Sequence, residues 1–211
     1  MEIKRLFDFP QNQLQTNPRE DALVSKVNGT WVKTSTEEYL AMANAFSRGL
    51  LQLGIKPQDK IALVTSTNRT EWNICDIGIQ QVGAISVPLY PTLSEEDFEY
   101  VLNNSECKLV IVSDKALYDT VFAVKDKVET LVGIYCFEEI AGITSYKEIL
   151  DLGLDNSTQH EVDSIKGMIK SSDITTIIYT SGTTGRPKGV VLTHENIVSD
   201  VLMSVERIPV F

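Results

Sequence analysis

The chain has 211 residues, with 19 Lys plus Arg against 29 Asp plus Glu, a formal charge of −10 at pH 7. At 43% hydrophobic and 23% charged it holds enough apolar mass for a packed core, which excludes disorder over its whole length and the collagen-like and disulfide-scaffold classes. The acidic balance lacks the basic stripe that a phosphate backbone demands, so no nucleic-acid partner is expected. Met1 to Pro10 carries Glu2, Lys4, Arg5 and Asp8 and no apolar core, so no signal peptide is expected there. Nowhere does the chain run to 18 apolar residues, so no transmembrane segment is expected.

Residues 22–34 are two short alternating runs around Asn28-Gly29, a dipeptide suited to the positive φ angles of a hairpin turn. Ser35 and Glu38 read as a capping box before a helix carrying Leu40, Ala43, Phe46 and Leu50, with Gly54 as its stop. An alternation of strands and helices follows. Ile61 to Val64 is an apolar strand, 69–82 a helix ending near Gly83, and Ala84 to Val87 a strand stopped by Pro88 and Pro91. A helix over 94–104 opens at Ser94 with Asp97 three positions on. Then come a strand over 108–113, a helix around 114–128 and a strand over 130–136. Apolar strands without strict alternation, separated by helices, predict an α/β fold: a layered, mostly parallel sheet with helices on both faces. Residues 151–173 are polar and weakly periodic and read as a surface connection.

Cys75, Cys107 and Cys136 lie far apart and form no CxxC pair, and His160 and His194 are the only histidines. The three cysteines read as buried free thiols in a reducing compartment, and with two histidines in the chain no metal site is expected.

Chemistry concentrates in residues 174–192. An apolar run from Ile174 to Tyr179 leads into Thr180-Ser181-Gly182-Thr183-Thr184-Gly185-Arg186-Pro187-Lys188-Gly189, and Val190 to Leu192 is a second strand. Glycines let backbone N–H groups turn toward an anion, the hydroxyls add donors, and Lys188 supplies a point charge suited to a phosphate oxygen. From Tyr179 to His194 the sequence holds no carboxylate. The segment is not a Walker A loop. Pro187 stands where the second glycine belongs, Gly189 follows the lysine in place of Ser or Thr, and the flanks are strand and strand. No GxGxxG occurs, so a dinucleotide fingerprint is absent too.

Residues 179–189, YTSGTTGRPKG, resemble the signature phosphate loop of the adenylate-forming (AMP-binding) superfamily. Asn68 to Trp72, Gly83 to Thr92 and Val101 to Asp114 are similar to its long-chain fatty acid–CoA ligase branch. The resemblance covers most of residues 35–200. It implies a two-step ligase: a fatty acid carboxylate attacks the α-phosphate of Mg·ATP, giving acyl-adenylate and pyrophosphate, and the CoA thiol then displaces AMP. It further implies that Thr180, Ser181, Gly182, Thr183, Thr184, Gly185 and Lys188 grip the β- and γ-phosphates. Magnesium arrives with ATP, and fatty acid, ATP and CoA are the substrates. The implied location is the cytoplasm, or the inner face of a membrane by peripheral contact; oligomeric state is left open.

Members of the superfamily are much longer, so the expectation is an N-terminal part of the AMP-binding domain, inactive alone and without catalytic residues of its own. Its parts are a hairpin and first helix over 22–54, an α/β region over 55–150, the connection over 151–173 and the loop segment over 174–211. Cutting a doubly wound sheet short should also leave an apolar face exposed. Alternatives are an adenylating enzyme for aryl, short-chain or amino acids, or a non-catalytic nucleotide-binding module. Among lone residues, Arg186 reads as an exposed loop residue, Pro187 as a stiffener, and His194 as a helix-start histidine after the N-cap Thr193. Trp72 and Tyr90 read as packing aromatics, and Glu95-Glu96-Asp97 as a solvated first helical turn.

Overall fold

The computed structural model describes residues 2–27, 29–180 and 185–207. Helix α1 (Asp8–Thr16) precedes a hairpin of β1 (Leu23–Val27) and β2 (Thr30–Thr34), paired antiparallel from Leu23↔Thr34 to Val27↔Thr30. Gly29 has φ +83°, the left-handed turn geometry expected there; Asn28 lies outside the described residues. Helix α2 (Thr36–Gln52) starts on the predicted capping box: the Glu38 N–H donates to the Ser35 hydroxyl at 3.1 Å, and the Ser35 N–H donates to the Glu38 carboxylate at 2.8 Å.

The main body then alternates: β3 (Lys60–Val64), α3 (Thr70–Gln81), β4 (Ile85–Leu89), α4 (Glu95–Ser105), β5 (Cys107–Val112), α5 (Lys115–Val124) and β6 (Gly133–Cys136). Helices α6 (Lys147–Leu152) and α7 (Gln159–Met168) lead to β7 (Ile174–Thr180), β8 (Lys188–Thr193) and α8 (His194–Val205). The large sheet has the order β6-β5-β3-β4-β7-β8, parallel except for the antiparallel pairing of β8 with β7. Both of its faces are covered. Ala62, Val64, Val110 and Val112 pack with Phe98, Leu102 and Val121 of α4 and α5. Ile61, Leu63, Leu109 and Ile111 face the other way, onto Phe46, Leu50, Ile79 and Ile149. Burial on both sides explains the apolar runs without alternation. All three cysteines are buried and free.

Two expectations need correction. Strand β4 does not stop before Pro88 but runs through it to Leu89. Register with β7 is confined to Ser86↔Thr176, whereas β3 pairs on to Leu63↔Pro88 and Val64↔Leu89. A strand paired on one side leaves alternate N–H groups without a ladder partner, and proline is tolerated there. The stretch 151–173 is not merely a connection, since it contains α7. That helix buries only Val162, so its apolar periodicity is faint. It is anchored by polar contacts instead: the Arg5 guanidinium donates to the carbonyls of Lys166 and Ile169, and Arg48 donates to the Gln159 side-chain oxygen.

Strand β8 ends the sheet with Val190 and Val191 exposed, and α8 exposes Leu202 and Met203.

Candidate functional site

Because β4 and β7 are parallel, their C-terminal ends meet at one edge of the sheet, and the predicted phosphate loop leaves β7 there. Thr180 is the exposed last residue of β7 and Lys188 the exposed first residue of β8, and the two are paired in register. Gly185 has φ +116°, a conformation that favours glycine, with open space around its missing side chain. Ser181, Gly182, Thr183 and Thr184 lie outside the described residues. Thus Thr180, Gly185 and Lys188 of the predicted set stand at the mouth of the hairpin.

A cavity of about 580 Å³ opens beside Thr180 and Gly185. Its walls are Pro88, Leu89 and Tyr90 at the end of β4, Leu93 and Asp97 around the start of α4, and Tyr179, Thr180, Gly185 and Pro187 of the hairpin. Tyr90 is not a packing aromatic: it lies beyond the end of β4 and is 65% exposed. Trp72, by contrast, packs half-buried against the core. Asp97 puts a carboxylate into the cavity wall although the loop's own sequence has none. It also takes part in the α4 cap, its N–H donating to the Ser94 hydroxyl at 3.2 Å while that hydroxyl donates to the Asp97 carboxylate at 2.7 Å.

The hairpin is seated on α4. Tyr179 is buried, and its hydroxyl donates to Oδ1 of Asn104 at 2.6 Å. Burial pushes the phenol up, which keeps it a proton donor. Across the ladder from Tyr179 is Gly189; a Cβ there would stand 2.9 Å from Cγ2 of Ile177 and 3.2 Å from Cζ of Tyr179. Glycine is required so that the Tyr179 ring can lie over β8. Arg186, exposed as expected, places its guanidinium 4.9 Å from the centre of the Tyr100 ring. None of Tyr90, Asp97, Tyr100 and Asn104 was legible as a neighbour of the loop, since tertiary structure alone brings them there.

His194 opens α8 after Thr193, whose hydroxyl accepts from the Asn196 N–H at 3.2 Å. It is 2% exposed, and its Nδ1 accepts from the Leu6 N–H at 3.2 Å. Burial first, then the nearby Arg5 charge, push its pKa down to about 4. It is neutral and structural.

A second cavity, about 640 Å³, lies away from the loop between α1, Tyr39 and α3. Asp76 lines it, with a carboxyl raised to about 6 by burial and accepting from Gln80 at 2.9 Å. Among the described residues no group of His, Cys, Asp and Glu is arranged to hold a metal ion, and no helix is long and apolar enough to cross a membrane.

The family model of the AMP-binding enzyme matches residues 10–210. The chain belongs to the AMP-binding enzyme family. Among AMP-binding relatives, it is 32% identical over 181 residues to the long-chain-fatty-acid–CoA ligase ACSBG2 of Xenopus laevis, covering 83% of this chain and 24% of that protein. It is 34% identical over 194 residues to fatty acyl-CoA synthetase B of Dictyostelium discoideum, covering 86% and 28%. The chain therefore spans roughly a quarter of the curated relatives' length. The fold agrees with a fatty acyl CoA synthetase of Mycobacterium tuberculosis at a TM-score of 0.78 and 24% identity, over 98% of this chain and 38% of that one. It agrees equally with the N-terminal domain of FACL13 from the same organism, at a TM-score of 0.77 and 25% identity, over 99% and 49%. The mostly parallel α/β sheet is that of AMP-binding ligases.

Proposed function

We propose that the chain is the N-terminal, polyphosphate-gripping part of an ATP-dependent, AMP-forming long-chain fatty acid–CoA ligase. The observation that carries this reading is the sequence TSGTTGRPK, which follows directly on the parallel-sheet strand β7, in a chain whose relatives are named long-chain fatty acid–CoA ligases. Thr180, Ser181, Gly182, Thr183, Thr184, Gly185 and Lys188 are the proposed contacts. Their N–H, hydroxyl and ammonium donors hold the β- and γ-phosphates and favour departure of pyrophosphate when the fatty acid carboxylate attacks the α-phosphate. Pre-placed donors aimed at developing charge do this without a covalent nucleophile. Magnesium accompanies ATP as part of the substrate, and CoA accepts the acyl group in the second step. The work takes place in the cytoplasm or at the inner face of a membrane, where the acyl substrate partitions. Adenine, ribose and acyl contacts come from the rest of the fold, so the 211 residues alone do not turn over.

The test is exchange of labelled pyrophosphate into ATP by the natural protein, with palmitate and without CoA. Palmitate-dependent exchange supports the reading. Exchange only with an aryl, short-chain or amino acid discards the long-chain branch, and silence with every acid favours a nucleotide-binding module. Acyl-CoA formation by the purified 211 residues would overturn the assignment of a partial machinery.

A further inference from the structure

The second cavity is walled by the N-terminal segment and α1 on one side, and by Tyr39 of α2 and the first half of α3 on the other. Every residue lining it falls between positions 3 and 77, so none belongs to the phosphate-loop hairpin. Its volume of about 640 Å³ is that of a small-molecule site. The walls are held in place. Asp8 accepts from the N–H groups of Lys4 at 3.1 Å and Arg5 at 2.9 Å, which fixes the entry to α1. The Gln13 side-chain oxygen accepts from the Thr36 hydroxyl at 3.1 Å, and the Tyr39 hydroxyl donates to the Asn73 carbonyl at 3.3 Å. Walls fixed in this way need little ordering when a ligand enters.

The lining is chemically one-sided. Phe9, Tyr39 and Trp72 supply aromatic surface, Leu6 and Ile77 aliphatic surface, and Asp76 is the only charged residue; no Lys, Arg or His takes part. The Asp76 carboxylate accepts from Nε2 of Gln80 at 2.9 Å, but no cation stands against it among the described residues. Next to it, the buried Oε1 of Gln80 also lacks a donor among the described residues. A carboxylate taken out of water without a cation is costly, and aromatic side chains favour a cation over an anion. A single carboxylate is too few for a metal ion. We infer that this cavity binds an organic cation, an amine whose ammonium pairs with Asp76 and whose apolar body lies among Phe9, Tyr39 and Trp72. Burial raises the Asp76 carboxyl only to about 6, so it is ionised at pH 7.5. The amine site is separate from the polyphosphate contacts and does not depend on them.

The test is isothermal titration of the natural protein at pH 7.5 with tryptamine and with tryptophol, which carries a hydroxyl in place of the ammonium on the same indole body. Tryptamine is expected to bind about tenfold more tightly, the difference made by one charge-assisted hydrogen bond. Asp76→Asn brings tryptamine down to the level of tryptophol. Trp72→Leu weakens both about fivefold through loss of aromatic surface. Lys188→Ala leaves tryptamine binding unchanged. Asparagine keeps the shape of the carboxyl and removes a buried charge, so Asp76→Asn is expected to fold, and thermal melts monitor both cavity variants. Comparison of the two probes on the parent protein needs no variant at all. Absence of tryptamine binding, or equal affinity for tryptamine and tryptophol in the parent, would overturn the amine site. So would tryptamine binding that survives Asp76→Asn or Trp72→Leu undiminished, and a loss in Lys188→Ala would place the amine at the phosphate loop instead.

Discussion

Arg48 of α2 donates from Nε to the carbonyl of Gly153 at 2.7 Å, bridging a sequence separation of 105 residues. The residue is only 5% exposed, and its Nη1 reaches the side chain of Gln159 at the start of α7. One buried guanidinium thus ties the sheet-covering helix α2 to the stretch that follows α6. Replacing Arg48 with Met keeps the stem's packing but strands the Gly153 carbonyl. The expected cost is about 1–3 kcal/mol, read by urea denaturation, with faster proteolysis within 153–168. An unchanged midpoint would show that the contact contributes nothing.

The same seam depends on close backbone approach. A Cβ built on Gly49 would stand 1.8 Å from the Ile149 carbonyl oxygen, and one on Gly153 the same distance from the Ala45 oxygen. Neither obstacle is a flexible side chain. Gly49→Ala must therefore push α6 away, at a cost of about 3 kcal/mol or more, despite alanine's better helix propensity. Thermal unfolding of the variant checks this, and a raised midpoint would contradict the packing.

His194 predicts a pH dependence of stability. Its folded pKa is about 4 against 6.5 for the free side chain, so the unfolded chain takes up the proton first as pH falls. Its contribution is complete above pH 6.5 and is lost as pH drops toward 4: about 2 kcal/mol between pH 7 and pH 5, and about 3 kcal/mol by pH 4. Denaturation of the parent and of His194→Gln at pH 7 and pH 5 isolates this part. Equal pH slopes would show that the imidazole is not held neutral.

Lys188→Ala removes the exposed ammonium at the hairpin mouth and is expected to weaken Mg·ATP binding roughly tenfold, in line with loss of one charge-assisted hydrogen bond. Isothermal titration decides. Unchanged affinity would take Lys188 out of the site, whereas unfolding is not expected from an exposed side chain.

Legibility in the sequence followed the type of force at work. The first turn of α2 was readable because Ser35 and Glu38 satisfy one another locally, and β3 and β5 because burial on both faces writes an unbroken apolar run. Helix α7 was not, because its support comes from Arg5 and Arg48, donors far away in sequence that leave no period behind. Helix α1 went unread for a similar reason: its first residue, Asp8, is fixed by Arg5 and by the Lys4 and Arg5 N–H groups rather than by an apolar stripe. At the site, the loop announced itself through glycines, hydroxyls and a lysine. Its neighbours Tyr90, Asp97, Tyr100 and Asn104 did not, since nothing in their local spacing points to a strand completed so much later.

That lateness has a consequence for how the protein is made. Strand β4 finds its second neighbour only in β7, across the whole stretch 90–173. On the ribosome, β4 is consequently an open sheet border for roughly ten seconds at ordinary elongation rates. Such borders invite pairing with other nascent chains. Pro88, which interrupts the donor row near the end of that border, makes β4 a poorer template for a stranger while it waits for its own partner to be synthesised.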